Sequence, residues 1–216
     1  GESSAVEASA SSRHEIAGFE VLLQSPELPT GCEITAMTMA LRYAGLDADK
    51  VTMATEYLPC QLYKLYTGAD GKTYGPDWNH YFIGDPTTEI GYVCGTGAIL
   101  TAANRYLEDV GNPLRAKDRT GARPEELYAL VSQDIPVVVW VTIRMGDRTP
   151  AGGWYTEEGE YLDWSKIDHA AVLIGYTEDE IVVADPITGR SAYPRSRFER
   201  IFASRNNRCV ILEEAA

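Results

Sequence analysis

The sequence predicts an α+β fold with an N-terminal helical lobe and a C-terminal antiparallel sheet lobe. Two observations lead to this prediction: helical periodicity with helix-ending glycines before residue 135, and runs of β-branched residues after it. The 216 residues are 44% hydrophobic and 24% charged, as is usual for a globular protein. A chain of this length buries enough apolar surface to fold without cross-links.

The first predicted helix is CEITAMTMALRYAG, which starts at Cys32 and stops at Gly45. Its apolar residues recur at helical spacing, and Thr30 and Glu33 have the spacing of a capping box. We therefore expect Cys32 in the first turn of an amphipathic helix, or at its cap.

Further helices are predicted over residues 47–58, 96–110 and 124–134, with Pro124 in the first turn of the last one. Residues 60–95 are irregular and rich in Gly, Tyr, Asp and Pro. Long irregular segments are uncommon inside compact domains and tend to be functional. We expect this segment, together with residues 144–166, to form the walls of a groove between the lobes.

Four strands are predicted in the second half, over residues 135–143, 169–176, 180–186 and 209–214. Their content of Val and Ile is typical of buried strands. Only the short turn Thr-Glu-Asp separates the second strand from the third, so these two are expected to form a hairpin. Residues 196–203 are expected to form a short helix or turn.

Residues 1–17 are predicted to form a flexible tether before a domain that spans residues 18–216, because residues 2–14 are small, polar and aperiodic. Two interpretations of the tether stay open: a signal or anchor segment once preceded it, or it is a plain disordered terminus. The sequence holds no run of eighteen apolar residues that could span a bilayer. Its net charge of −13 argues against a nucleic-acid partner, because a phosphate backbone would repel it.

The four cysteines contain no Cys-x-x-Cys pair, which argues against a zinc ribbon or a thioredoxin motif. If Cys32 stays a free thiol, at most one disulfide can form among the other three. We prefer Cys60–Cys94 as that pair; the alternative is four reduced thiols, three of them ordinary core residues.

Cys32 and His169 are the candidate nucleophile and general base. Free N–H groups and the dipole at a helix N-terminus favour a thiolate, and Gly31 leaves the sulfur approachable. His169 starts a predicted strand and lies 137 positions after Cys32 (169 − 32). That separation falls in the range of roughly 130–150 residues between cysteine and histidine in papain-like enzymes.

Two further residues complete a candidate acyl-transfer site. Across the predicted hairpin, Asp185 would lie near His169 and orient its ring. Asp168 is a rival orienter, although neighbouring strand residues point to opposite faces. Acyl transfer also needs an oxyanion hole, for which the backbone N–H of Cys32 and the amide of Gln24 are candidate donors.

Three segments resemble the bacterial C39-like peptidases, a family related to the bacteriocin-processing C39 peptidases. They are LLQSPELPTGCEITAMTMALRYAG, WNHYFIGDPTTEIGYV and WSKIDHAAVLIGYTEDEIVVADP, in the family's order and within residues 20–214. The resemblance implies a papain-like fold in which Gln24 is the oxyanion glutamine, Cys32 the nucleophile, His169 the base and Asp185 its orienter. Asp168 stands where the family often has Glu.

The resemblance further implies a monomeric, secreted or cell-envelope peptidase that acts on a peptide or protein and requires no metal or other cofactor. Gly31, Trp78 and Asp168 are predicted to contact the substrate. Cys94 lies in a loop where the family is not expected to have a cysteine, which supports a lineage-specific disulfide.

Two other functions compete with this one. A papain-fold module without turnover would bind glycan or peptide in a groove lined by aromatic residues, which are Tyr74, Trp78, Tyr81, Trp154 and Trp164. A metal site would use Asp168, His169 and Asp185, but adjacent strand residues face opposite ways and too few ligands remain. An intact Cys–His–Asp set favours the enzyme over the silent module.

Overall fold

The computed structural model describes residues 12–215 and confirms the α+β prediction. The helices are α1 Cys32–Tyr43, α2 Lys50–Thr52, α3 Thr96–Asp109, α4 Pro124–Ser132 and α5 Arg195–Ser204. A π-helical segment, Met53–Tyr57, continues α2, and a 3-10 turn covers Ile143–Met145. The helices predicted from the sequence are all present, with ends that differ by a few residues.

The strands are β1 His14–Glu15, β2 Cys60–Gln61, β3 Tyr66–Thr67, β4 Thr73–Tyr74, β5 Phe82–Ile83, β6 Leu114–Asp118, β7 Val137–Thr142, β8 Gly152–Tyr155, β9 Tyr161–Trp164, β10 Asp168–Tyr176, β11 Glu180–Asp185, β12 Gly189–Pro194 and β13 Cys209–Glu214. The four predicted strands correspond to β7, β10, β11 and β13. The predicted hairpin is confirmed, because β10 and β11 pair antiparallel.

The main sheet is antiparallel and has the order β12-β11-β10-β7-β13-β6, with β1 also pairing with β10. Every residue of the two central strands, β7 and β10, is buried. Their sequences, VVVWVT and DHAAVLIGY, lack the polar alternation of a strand with one wet face, since α1, α4 and α5 all pack against this part of the sheet.

Helix α1 is buried along ten consecutive residues, from Cys32 to Leu41, because β10, β7, α2 and α3 surround it. It is therefore a central helix, buried on all sides, and not the amphipathic helix that its spacing predicted. The capping-box prediction is wrong: the N-cap is Gly31, and no side chain caps the helix. The Thr30 hydroxyl instead donates to the carbonyl of Thr88, and Glu33 is buried.

Strands β6 and β12, at the two edges of the main sheet, are absent from the sequence predictions. Their sequences, LRAKD and GRSAYP, are charged or small and lack the β-branched runs of the central strands. The irregular segments also contain short strands, and the sheet β3-β4-β8-β9 joins residues 66–74 to residues 152–164. The two segments predicted to be groove walls are thus parts of one substructure.

The predicted boundary between tether and domain is too late in the chain. His14 pairs with Tyr176 in the main sheet, and Ile16 is buried in the core. The remainder of the predicted tether, residues 1–11, lies outside the described residues. Within residues 12–215, no helix combines the length and the apolar character needed to cross a membrane.

Candidate active site

Cys32 is the first residue of α1, as the sequence predicted, and its side chain is 7% exposed. The residue before Cys32 is Gly31, and there is no room for a side chain at this position, because a Cβ would lie 2.9 Å from Cβ of Leu28. The φ angle of Gly31, −96°, is one that any residue can adopt, so a tight turn is not the reason for glycine. Gly31 thus allows the start of α1 to pack directly on the preceding loop.

His169 and Asp185 form a buried pair on adjacent strands. Nε2 of His169 lies 2.9 Å from Oδ1 of Asp185, and both side chains are almost fully buried. In the β10–β11 register Val172 faces Ala184, which makes His169 and Asp185 diagonal neighbours on one face of the sheet. The proximity expected from the hairpin is therefore present.

The pKa of the Asp185 carboxyl lies below its ordinary value. Burial acts to raise it, but the hydrogen bond and charge of His169 and the backbone N–H groups of Ile187 and Thr188 outweigh burial. A carboxylate held in the charged form stabilises an imidazolium beside it. Because Nε2 faces Asp185, Nδ1 is the ring nitrogen left for proton exchange.

Gln24 lies in a loop that is fixed from two sides. Its backbone N–H donates to the carbonyl of Pro186 at 2.8 Å, which ties the loop to the residue after Asp185. The ammonium group of Lys50 donates to the carbonyl oxygens of Leu23 and Gln24. The Gln24 side-chain amide donates to the carbonyl of Pro29 at 2.7 Å, and its Oε1 is buried without a hydrogen-bond partner among residues 12–215.

A cavity of about 300 Å³ brings these residues together. It is lined by Gln24, Pro29, Thr30, Cys32, Gly91, Tyr92, Ile143, Trp164, Lys166, Asp168, His169 and Ile187. The thiol from the helix and the imidazole from the sheet therefore share one cleft, as the spacing of Cys32 and His169 required. Tyr92 and Trp164, in edge-to-face contact, are the aromatic residues of this cleft.

Of the three residues predicted to contact the substrate, only Asp168 lines the cavity. Trp78 is 1% exposed and packs in a small core with Trp154, so its predicted role in substrate binding is wrong. Gly31 precedes the nucleophile in the chain and allows α1 to pack closely on Leu28. Trp78 and Trp164 could not be told apart from the sequence alone, since both lie in segments that are predicted to be irregular and are rich in aromatic residues.

Asp168 is committed to two arginines that the sequence reasoning missed. Its carboxylate accepts from Arg148 at 2.8 and 3.1 Å and lies 3.5 Å from the buried Arg205. Arg205 also donates to the carbonyl oxygens of Val141 and His169, so it holds β7 and β10 together directly behind the catalytic histidine candidate. Because Asp168 is bound in this way, it neither orients His169 nor completes a metal site.

The protonation state of the Cys32 thiol differs from the one that the sequence predicted. Burial, followed by the charge and the hydrogen bond of Glu33, raises the pKa of Cys32 well above its ordinary value. The backbone N–H of Ala170 acts in the opposite direction but is weaker. The expectation that the start of α1 would lower the pKa of this thiol is therefore wrong for the free protein.

The predicted Cys60–Cys94 disulfide is absent, since all four cysteines are free thiols. The Cys60 thiol points to the carbonyl of Leu58 at 3.6 Å. Cys94 is fully buried, and its backbone N–H and carbonyl bond to Glu33 and Trp140. Cys94 is thus a core residue beside the site rather than half of a cross-link.

A larger cavity, of about 620 Å³, lies away from Cys32 and is lined by Tyr66, Asp77, Tyr81, Glu157, Glu158 and neighbouring residues. It contains no cysteine or histidine, so we assign the chemistry to the smaller cleft despite its size. Across the part of the chain that the structure describes, no group of three or more His, Cys, Asp or Glu side chains is arranged to hold a metal ion.

Comparison with known proteins gives one family and several relatives. The profile of the Peptidase_C39 like family matches residues 16–210. The uncharacterized Bacillus subtilis (strain 168) protein YvpB is 25% identical over 217 residues, which cover 96% of this chain and 82% of YvpB.

Two solved structures are similar in fold. One, from Bacillus anthracis and named as a candidate C39-like peptidase, superposes with a TM-score of 0.81 at 27% identity, covering 94% of this chain and 98% of that one. The cysteine protease xylellain from Xylella fastidiosa superposes with a TM-score of 0.52 at 14% identity, covering 97% and 88% of the two chains. The second similarity concerns the fold alone.

Proposed function

The chain belongs to the C39-like peptidase family, and from this membership we propose that it is a cysteine peptidase that cleaves a peptide or amide bond through Cys32, His169 and Asp185. The proposal rests on one observation: the thiol of Cys32, at the start of α1, and the imidazole of His169, bound to Asp185, line the same cleft. Neither group alone would indicate turnover.

In the proposed reaction, Nδ1 of His169 takes the thiol proton as the sulfur attacks the carbonyl carbon of the substrate. The developing oxyanion is stabilised by the backbone N–H of Cys32 and the side-chain amide of Gln24. The imidazolium, held by Asp185, then protonates the leaving amine, and an acyl-enzyme forms on Cys32. Water, activated by His169, hydrolyses the thioester and restores the thiol.

A test uses a library of peptides from a digested proteome, with products identified by mass spectrometry. We expect new peptide termini with the native chain and none with the matched variant Cys32→Ser. Equal products from both proteins, or none from either, would contradict the proposal. Substrate-trapped protein should carry the acyl group on Cys32 when the reaction is quenched with acid.

A second candidate is a papain-fold module that binds peptide without cleaving it. The raised pKa of the Cys32 thiol favours it, because a neutral thiol is a poor nucleophile. The same peptide library discriminates, since peptides retained by the native chain without new termini would support binding alone. The secreted or cell-envelope location stays a prediction.

A further inference from the structure

Glu33 contacts the sulfur of the candidate nucleophile directly. The Cys32 thiol donates to Oε1 of Glu33, with 3.1 Å between Sγ and the oxygen. Glu33 is 1% exposed, so the contact is shielded from water. Among the described residues, no hydrogen bond joins Sγ to the ring of His169, whose Nε2 is bound to Asp185. In the free protein the thiol proton is therefore directed at a carboxylate and not at the base.

The carboxylate of Glu33 is held in place by a second contact. Its Oε2 accepts from the backbone N–H of Cys94 at 2.8 Å, and the carbonyl of Cys94 accepts from the indole N–H of the buried Trp140 at 2.9 Å. Rotating Glu33 away would leave the buried N–H of Cys94 without its acceptor, which is unfavourable. Its position next to the sulfur is thus fixed by β7 and by the segment before α3.

Charged groups reach the sulfur from several elements around it. Glu33 on α1 and Asp185 on β11 carry carboxyl groups whose charge disfavours a thiolate. Burial raises the pKa of Glu33 itself, against the hydrogen bonds from Cys94 and Cys32, which act to lower it. Arg205, after α5, is the buried cation whose charge reaches Glu33 and Cys32. Among the described residues, His169 on β10 and the thiol of Cys94 are further titratable neighbours, and Tyr92, Lys166 and Asp168 line the same cavity as the sulfur. Burial itself raises the pKa of the thiol most, and Glu33 is the next largest cause.

We propose that Glu33 is a catalytic residue that keeps Cys32 a neutral thiol in the free protein, so that the sulfur becomes nucleophilic only when a bound substrate lets its proton pass to His169. The inference rests on the proposed peptidase function. In the step, the S–H bond breaks, the proton goes to Nδ1 of His169, the sulfur electron pair forms the S–C bond, and the carbonyl π pair moves to oxygen.

This arrangement protects the nucleophile between turnovers. Thiolates, not thiols, react with oxidants and alkylating agents, and buried neutral thiols are inert. A thiol hydrogen-bonded to a fixed, buried carboxylate must rotate about Cα–Cβ of Cys32 to reach the imidazole. A substrate carbonyl placed between Gln24 and the start of α1 would draw the sulfur away from Glu33 and towards His169.

The test measures iodoacetamide alkylation of Cys32, located by mass spectrometry, as a function of pH. In the native chain the rate should rise only on the alkaline side, without a fast plateau between pH 5 and 7. The variant Glu33→Gln removes the charge and should raise the rate at pH 7 by about tenfold or more, since one pKa unit changes the thiolate fraction about tenfold. The exposed Glu89→Gln is the matched control and should leave the profile unchanged.

A fast plateau in the native chain, or an unchanged profile in Glu33→Gln, would overturn the proposal. If Glu33→Gln does not fold, the pH profile of alkylation in the native chain tests the proposal by itself. The variant Glu33→Asp keeps the charge and should retain slow alkylation of Cys32. The peptide library separates the two proposals. Peptide cleavage with an unchanged Glu33→Gln profile refutes only the role of Glu33, whereas a shifted profile without cleavage refutes only the peptidase.

Discussion

Nε2 of His169 lies 2.9 Å from Oδ1 of Asp185 across the β10–β11 hairpin, with both side chains shielded from water. The contact fixes which ring nitrogen remains available, because the one that faces Asp185 cannot also receive the thiol proton. Asp185 is not itself one of the residues that line the cleft, so it acts as a positioning residue for His169.

Replacing Asp185 with Asn should lower kcat by roughly 10²- to 10⁴-fold, because His169 loses most of its effect as general base without the carboxylate that orients it. The amide keeps the volume of the carboxylate but loses its charge, so it no longer stabilises the imidazolium. The measurement is kcat and KM on a peptide found in the library. A pure rise in KM, with kcat unchanged, would show that Asp185 supports substrate binding instead.

The same variant has a pH signature in stability. The pKa of Asp185 is lower in the folded chain than its unfolded value near 3.9, so its contribution is complete above that value and is lost as pH falls through the folded pKa. Urea unfolding between pH 6 and pH 3 should show a decline for the native chain that is shallower for Asp185→Asn. Parallel declines would show that the carboxylate is not the group responsible.

Replacing Gln24 with Ala should lower kcat by about 10²- to 10³-fold, as the loss of one oxyanion-hole donor does elsewhere. KM should change little, because the interaction is strongest with the charge that develops during attack. Gln133→Ala, at an exposed position after α4, is the control and should leave kcat unchanged. An undiminished kcat for Gln24→Ala would remove Gln24 from the reaction.

Replacing Gly31 with Ala should destabilise the fold by about 1–3 kcal/mol, the usual cost of overpacking. The added Cβ would lie 2.9 Å from Cβ of Leu28, a buried residue that has little room to move. Gly146→Ala is the control, since its nearest neighbours would be at 3.5 and 3.6 Å. Equal unfolding midpoints in urea for the two variants would contradict the packing role of Gly31.

Replacing Arg205 with Met should cost on the order of 3–5 kcal/mol, because a buried cation that spans β7, β10 and Asp168 is lost. Arg200→Met is the control: its ion pair with Asp147 is exposed and should contribute less than about 1 kcal/mol. The free energy of unfolding of both variants is measured by chemical denaturation. A small effect of Arg205→Met would mean that Arg148 alone satisfies Asp168.

The order of helices and strands, and the central elements themselves, were predictable because local signals coincide with burial there. The β-branched runs of β7, β10 and β11 are both strand-forming and buried. The edge strand β12 carries Gly, Arg and Ser and owes its conformation to pairing with β11. The predicted end of the tether was wrong for a similar reason, since His14 and Glu15 form a strand only because β10 offers a partner.

The amino-acid sequence by itself determined the chemistry available: a cysteine at a helix start, a histidine opening a strand and an aspartate on the returning strand of the hairpin. These follow from residue type and periodicity, which act over a few positions. Only the tertiary structure decided the protonation state of the thiol, because Cys94 and Arg205 reach the site from distant parts of the chain, and the N–H of Cys94 holds the neighbouring Glu33 against the sulfur. Burial and electrostatics depend on distances in space, and no local pattern records them.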